Sequence, residues 1–535
     1  MIKAFIFTIK GVHLIFHNNQ YKPMKSILRP LLLTIAVPLS LLATTSSAQY
    51  VNAVIPGDFA DPSLIRKGNQ YYAIGTSSEW APHFPMFSSS NLKDWKQLGY
   101  VFDKAPEWTG GSFWAPEYYF HKGTYFVYYT ARRKSDGISC IGVASSRYPD
   151  RGFKDHGILI EHGKEAIDAF VFNDNGQLYI SFKAYGLDGR PIEILGSKLS
   201  DDGLSLTGEL FSMMKDTAGK GLEGQSILKK DDYYYFFYSA GNCCGSQCDY
   251  NVGVARSKTF QGPYEKYGQN PILQENKFWK CSGHGTFVES PEGKTFYLYH
   301  AYHKQNGVFT GRQGLVAELQ WPGKNEWPKF KESSDPQTFQ ASAYDVHETF
   351  AGKTPARFWQ WDFRNSIPVL NQQKGTLQLS GSYKENNASG VVATLRPVAA
   401  AYEMTVTVRN QNDALKGLVI YGDANQAIGV GTEGNSLKFW MAKDNKTTIL
   451  STSSIADPKL PVQLKMKTDN DARCRVYWKQ KDGGWQELKE GAQAAEISFL
   501  PPWDRSPRPG LNFKGVAGQE AVFEDFNLIY TSKEQ

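Results

Sequence analysis

The chain has 535 residues, too many for one ordinary domain, and two or three are expected. Hydrophobic residues at 41% and charged residues at 21% exclude a disordered chain, while 13 Trp, 29 Tyr and 32 Phe beside 49 Gly predict short strands and many turns rather than long helices. The formal charge of +6 falls to +1 once residues 1–48 are set aside, and no basic run remains, which excludes nucleic acid as the partner.

Residues 1–48 hold Lys3, Lys10, Lys22, Lys25 and Arg29 and no acid. Lys25 and Arg29 precede an apolar stretch, Leu31 to Ala43, and Ser46-Ser47-Ala48 supplies the small residues of a cleavage site. This is the pattern of a signal segment, with the mature chain starting at Gln49. A membrane anchor is the weaker alternative: the apolar run is interrupted by Pro38 and Ser40 and falls short of the ~20 residues of a span. The mature protein is expected to be exported to the periplasm or beyond, without a membrane anchor, and monomeric.

From Gln49 to about Phe330 one pattern recurs five times: Asp61-Pro62-Ser63-Leu64-Ile65 leading to Tyr71-Tyr72, Trp114-Ala115-Pro116-Glu117-Tyr118 to Tyr125-Phe126, Asp168-Ala169-Phe170-Val171-Phe172 to Tyr179, Glu223-Gly224-Gln225-Ser226-Ile227 to Tyr234-Tyr235, and His284-Gly285-Thr286-Phe287-Val288 to Phe296-Tyr297. The lead residues are 53, 54, 55 and 61 positions apart. Turns such as Lys67-Gly68-Asn69, Lys122-Gly123 and Asn173-Asp174-Asn175-Gly176 join each pair of strands. Such a unit is too small to bury a core alone, and stacking around an axis predicts a five-bladed β-propeller over residues 49–340. A parallel β-helix has shorter repeats, and a TIM barrel needs amphipathic helices that the pattern lacks.

If the lead residues hold equivalent places, Asp61, Trp114, Asp168, Glu223 and His284 converge at the axis. Each alone is more often a turn former, a strand-end charge or a core residue; the shared register is what the bland reading does not explain. Cleaving a glycosidic bond needs one carboxylic acid to protonate the leaving oxygen and one carboxylate to activate water or to attack. A third carboxylate raises the acid's pKa, and an aromatic wall suits a sugar ring. A metal site built from the three carboxylates and the imidazole is the competing use of the same groups.

Cys243, Cys244, Cys248 and Cys281 fall in the fourth and fifth repeats, and export favours disulfides within that set. A bond between the adjacent Cys243 and Cys244 is atypical, because a trans peptide holds their Cα atoms about 3.8 Å apart. A zinc site from these cysteines with His284 ranks lower, their spacing being irregular. Cys140 and Cys474 are expected to be unpaired and buried. Residues 331–357 read as a connection. Beyond it, alternating segments Tyr402–Val408, Gly417–Tyr421, Ser436–Trp440 and Val462–Met466, with turns at Gly431–Asn435 and Asp482-Gly483-Gly484, predict a β-sandwich within residues 341–535. Trp359 and Trp361 share one face and are assigned to the seam with the propeller ahead of a sugar platform.

Gly57-Asp58-Phe59-Ala60-Asp61-Pro62-Ser63, Ser89-Ser90-Asn91-Leu92-Lys93-Asp94-Trp95, Phe113-Trp114-Ala115-Pro116-Glu117, Ile167-Asp168, Leu222-Glu223-Gly224 and Gly283-His284-Gly285 resemble the blade motifs of glycoside hydrolase family 43. The second half resembles the concanavalin-like sandwich appended to many of its members. The resemblance implies an inverting hydrolase releasing α-L-arabinofuranosyl or β-D-xylosyl units from plant cell-wall polysaccharides, with Asp61 as general base, Glu223 as general acid and Asp168 tuning Glu223. It implies that Arg312 contacts substrate, as Trp114 does, and that His284 helps hold a calcium ion, directly or through water. The loops around Trp80-Ala81-Pro82-His83-Phe84 and Phe278-Trp279 are the candidate walls that would close the pocket, with Trp80 a substrate-binding candidate. Two departures from the usual motifs stand out: Ala169 after Asp168 and Gln225 after Gly224, both places where proline is common. The alternatives are an endo-1,5-α-L-arabinanase and, in another class, a non-catalytic carbohydrate-binding protein.

Overall fold

The computed structural model describes residues 53–305, 307–331, 340–481, 483–489, 491 and 493–531. The signal segment, residues 332–339 of the connection after Phe330, and Asp482 of one expected turn lie outside the described residues. Among the described residues, five sheets of four antiparallel strands follow one another from Ser63 to Phe330. Their innermost strands are Ser63–Lys67, Thr109–His121, Ala166–Asp174, Glu223–Lys230 and Trp279–Glu289. These touch in cyclic order, the fifth returning to the first, so the chain is a five-bladed β-propeller as the repeats predict. Tight turns separate the first two strands of the blades. Lys122-Gly123 and Asn175-Gly176 place two successive residues at positive φ, the geometry whose twist matches a hairpin.

The ring is closed by the chain entering it. Val54 N–H donates to Gly314 O at 2.8 Å, Gly314 N–H to Ile55 O at 2.9 Å, and Phe59 N–H to Arg312 O at 2.6 Å, which tie the start of the chain to the third strand of blade five and the turn before it. The packing is aromatic: Phe59, just ahead of blade one, meets Phe87 of that blade edge-on, and between blades one and two Phe84, Phe102 and Phe113 cluster around Tyr129. Glu117 adds a polar rivet, its Oε2 accepting from Ser63 Oγ in blade one at 2.7 Å and its Oε1 from Val171 N–H in blade three at 3.2 Å.

The second half is a β-sandwich. One sheet runs through Ser366–Gln373, Thr376–Tyr383, Ala521–Tyr530, Tyr402–Arg409, Val462–Thr468 and Arg473–Lys479; the other through Val391–Thr394, Arg508–Lys514, Leu415–Asp423, Gln426–Glu433, Ser436–Lys443 and Lys446–Ser454. In Tyr402–Arg409 the side chains of Tyr402, Met404, Val406 and Val408 are buried while those between face outward, the alternation of a half-buried strand. No helix among the described residues is long and apolar enough to cross a membrane.

The seam between the halves corrects the assignment of Trp80. Strand Trp80–Ala81 pairs with Trp361–Asp362, and the Trp80 ring, 1% exposed, lies edge-on to Tyr421 with the Arg508 guanidinium 4.2 Å from its centre. A large apolar ring at the meeting of two domains is worth more buried than exposed, so Trp80 holds the halves together and does not face a pocket. Trp279 is likewise buried rather than a pocket wall, and Trp359 lies in the sandwich core, while Trp361 packs beside Trp80.

Burial raises the Glu117 carboxyl from the ordinary 4.5 to about 8 against its own hydrogen bonds. A carboxyl whose folded pKa is raised contributes stability below about 4.5 that is lost as pH climbs through about 8. Glu117→Gln is therefore expected to flatten that slope: its stability relative to wild type rises between pH 5 and 8 by on the order of a few kcal/mol, read as a rise in relative melting temperature. A pH-independent difference in calorimetric scans would contradict the assignment.

Candidate active site

Four of the five inner strands are bulged near their start, with register shifts after Trp114, Ile167, Glu223 and Gly283. Beside each bulge, and just ahead of the first strand, one residue adopts left-handed backbone: Asp61 (φ 48°), Ala115 (41°), Asp168 (57°), Gly224 (56°) and His284 (40°). In four blades the N–H of that residue donates to a side chain on or just after the second strand of the preceding blade. Asp61 N–H meets His300 Nδ1 at 3.0 Å, Ala115 N–H meets Thr76 Oγ1 at 2.8 Å, Asp168 N–H meets Thr130 Oγ1 at 3.2 Å, and His284 N–H meets Ser239 Oγ at 2.8 Å. In blade four Gly224 N–H donates instead to the Asp168 carboxylate, at 3.0 Å. A Cβ on Gly224 would lie 2.7 Å from His284 Cγ, so glycine is required there on two counts.

This scaffold brings Asp61, Asp168 and His284 together: His284 Nδ1 lies 3.5 Å from Asp61 Oδ1 and 3.9 Å from Asp168 Oδ2. Glu223, one residue before Gly224, interacts electrostatically with Asp168. Asp61 is buried and fully engaged. Thr76 Oγ1 donates to its Oδ2 at 2.7 Å, and Arg312 Nη1 lies 3.1 Å from its Oδ1. Burial alone would raise this carboxyl, but the Arg312 guanidinium, with His284 beside it, outweighs burial and holds Asp61 ionised, well below the usual carboxylate range. His300 accepts the Asp61 N–H at Nδ1 and is lowered to about 4 by burial, so it stays neutral at physiological pH.

Glu223 is held at both oxygens, by Lys183 Nζ at 2.7 Å and by Tyr250 Oη at 2.8 Å. Burial pushes its carboxyl up, yet the Lys183 ammonium and these hydrogen bonds leave it below its ordinary value. Asp168 goes the other way, to about 6, raised by burial and by the Glu223 charge against His284 and Lys183. In the free protein the two carboxyls are therefore ordered oppositely to the expectation that Asp168 raises Glu223, and the cause is Lys183. Gln225 accounts for the second of the two departures: its Nε2 donates to the Asp168 carbonyl at 2.6 Å and to Ser181 Oγ at 3.3 Å. A side-chain clamp on Asp168 thus occupies the place where proline is common.

Trp114 and Arg312 also sit at the axis, but both are tied to the sandwich. Trp114 Nε1 and Ser78 Oγ donate to Asp504 Oδ2 at 3.0 and 2.8 Å, and Arg312 Nη2 donates to Asp504 O at 3.0 Å. Arg312 is 3% exposed and serves as the charge partner of Asp61 rather than as an open contact for substrate. Among the described residues no group of three or more His, Cys, Asp or Glu side chains is arranged to hold a metal ion. Both Asp61 oxygens are already bonded to Thr76 and Arg312, and Asp168 Oδ2 to Gly224 N–H, so a calcium ion held by His284 would take water for its other ligands.

Cys248 pairs with Cys281, and the neighbours Cys243 and Cys244 pair with each other, the bond expected to be atypical; Cys140 and Cys474 are buried thiols. The bridged loop leads directly into Tyr250, whose ring packs against Gly283. Lys183, Tyr250, His300, Thr76 and Asp504 were not singled out in the sequence. Lys183 has a local signal, as it pairs across the ladder with Ile167, next to Asp168. Asp504 lies 390 positions from Trp114 and has none.

Residues 50–328 match the glycosyl hydrolases family 43. An extracellular exo-α-(1→5)-L-arabinofuranosidase of Cellvibrio japonicus is 29% identical over 310 residues, covering 51% of this chain and 87% of its own. An extracellular endo-α-(1→5)-L-arabinanase of Bacillus subtilis is 28% identical over 294 residues, covering 50% and 87%. The solved structure of a xylan β-1,4-xylosidase of Bacillus halodurans superposes over 90% of this chain and 100% of its own, with a TM-score of 0.77 and 20% identity, which extends the shared fold through the sandwich. The chain belongs to glycosyl hydrolase family 43 and is a glycoside hydrolase.

Proposed function

We propose that this enzyme is an exo-acting, inverting glycosidase that releases α-L-arabinofuranosyl or β-D-xylosyl units from plant cell-wall polysaccharides, with Asp61 as general base and Glu223 as general acid. The exo reading is carried by one observation: the Asp504 segment of the sandwich is bonded to Trp114 and Arg312 at the axis, closing one side of the mouth. Endo cleavage of arabinan needs a groove open at both ends. The relatives named for arabinofuranose and xylose release support the sugar class, and those described as extracellular support export through the segment 1–48.

Asp61, kept ionised by Arg312, accepts a proton from water as it attacks the anomeric carbon. Thr76 fixes Oδ2, leaving the carboxylate one orientation. Glu223 delivers its proton to the departing oxygen, and Tyr250 and Lys183 hold it in place. In the free protein that proton is held by Asp168, raised to about 6 by burial and the neighbouring Glu223 charge, and it reaches the leaving oxygen through Glu223. Displacement by a separate water inverts the anomeric centre.

Glu223→Ala is expected to lower kcat on arabinofuranosides or xylosides by roughly 10²–10⁴-fold, and proton NMR of the first product to show the inverted anomer. Undiminished turnover, or retention, would refute the assignment. Activity requires the pair to hold its proton, so kcat/KM should fall as pH rises above about 6. Replacing Lys183 with Met removes the charge that favours ionised carboxylates, and the basic limb should move up by roughly one unit. A limb that stays put or moves down would show that Lys183 does not govern the proton.

A further inference from the structure

Glu223 Oε1 accepts from Tyr250 Oη at 2.8 Å, and Tyr250 is itself 1% exposed. What fixes Tyr250 is not the sheet beside it. The ladder between Tyr233–Ala240 and Asn251–Ser257, the second and third strands of blade four, ends at the pair Ala240 and Asn251. Tyr250 lies one residue beyond that last rung, where a strand end is free to fray. The loop before it folds partly on itself, Asp249 Oδ1 accepting the Asn242 N–H at 2.6 Å. It is joined to blade five by Gly245 N–H on Tyr302 Oη at 3.3 Å, by Lys280 Nζ on Ser246 O at 2.9 Å, and by the Cys248–Cys281 disulfide. The covalent link is also the one closest in sequence to Tyr250, two residues before it.

The other end of the bridge is placed to match. Cys281 is 1% exposed on the inner strand of blade five, in left-handed backbone (φ 57°), two residues before Gly283 and three before His284. Gly283 is the surface on which Tyr250 rests: a Cβ there would come within 2.3 Å of Tyr250 Cδ1. The His300 ring lies parallel to that of Tyr250, at 7° with centres 5.7 Å apart. The disulfide therefore ties together the segment that carries Tyr250 and the segment it packs on. The Cys243–Cys244 bond joins neighbours in the chain and ties nothing across the blades.

We propose that Cys248 and Cys281 are positioning residues for the reaction: their disulfide fixes Tyr250 of blade four against blade five, and Tyr250 in turn aims the Glu223 carboxyl at the departing oxygen. The assignment rests on the reading of Glu223 as general acid. Without the bridge, Lys183 on Oε2 is the remaining hold, and the carboxyl can turn about it. A proton donor shifted in this way loses rate with leaving groups that need the proton and keeps it with those that do not.

The test compares kcat/KM on a disaccharide (xylobiose or arabinobiose, whichever is cleaved) with that on the 2,4-dinitrophenyl glycoside of the same sugar, whose phenolate departs unprotonated. The disaccharide-to-dinitrophenyl ratio should fall about tenfold in Cys248→Ser/Cys281→Ser and about as far in Tyr250→Phe. Combining all three substitutions should lower it no further than Tyr250→Phe alone. An unchanged ratio, an equal loss on both substrates, or additive losses would overturn the positioning role and leave Glu223 as the acid. If the double variant does not fold, wild type is treated with a phosphine, which is oxidised as the disulfide gains two electrons and two protons and becomes two thiols. The ratio should then fall in step with the fraction of Cys248 found alkylated by mass spectrometry, and a constant ratio would overturn the proposal. Glu223→Ala checks the reading beneath it: a loss as large on the dinitrophenyl glycoside as on the disaccharide would remove Glu223 from the acid role, and this proposal with it.

Discussion

The site depends on one backbone constraint: a residue in left-handed conformation where each blade meets the axis, its amide held by the blade before it. Non-glycine residues in that conformation cost of order 1 kcal/mol or more each, and Asp61, Ala115, Asp168 and His284 all adopt it. His300, Thr76, Thr130 and Ser239 supply the compensating hydrogen bonds. The same bonds link each blade to its neighbour, so ring closure and side-chain aim have a common cause. Blade four varies the acceptor: its amide turns to Asp168 on the inner strand of blade three rather than to a residue of the second strand. That exception joins two of the three acidic groups through a backbone donor.

Charge at the axis is arranged in two tiers. Asp61 faces a guanidinium and two imidazole rings and is committed to the ionised form. Glu223 faces an ammonium that also lies 3.5 Å from Glu165, so Lys183 is shared between two acids. Asp168 is left with the least direct cationic support and carries the highest pKa of the trio. Three acids of similar intrinsic strength are thus separated by their partners, which lets one hold a proton while another stays ionised.

Much of this architecture was readable in the residues because it repeats. A period near 54 with an aromatic second strand yields the propeller, and the repeated lead segment yields Asp61, Asp168 and His284 at equivalent places, with Glu223 one residue earlier than its own blade's equivalent, Gly224. What does not repeat was hidden. Lys183 and Tyr250 act from within strands or beside a disulfide-bridged loop, where hydrogen-bonding side chains look like any other. Trp80 misled for a physical reason: an aromatic in a loop near a motif serves equally to stack on a sugar or to seal a seam, and only the partner strand Trp361–Asp362 separates the two. Gln225 read as a departure, yet it makes a bond that proline cannot. The sandwich fold was legible from alternation, but the reach of Asp504 across the seam was not, since no local pattern announces a contact hundreds of residues away.

The bonds from Asp504 to Trp114, Ser78 and Arg312 carry a lesson for the chain as an assembly of modules. The stretch that carries the family signature ends near residue 328, yet the arginine that keeps Asp61 ionised is finished by a carbonyl from residue 504. Cutting the gene at the apparent border would strand a buried guanidinium and bare an indole. Recombination that swaps tail domains among relatives would therefore have to carry a matching acidic plug, and the two halves are constrained to diverge as one heritable unit.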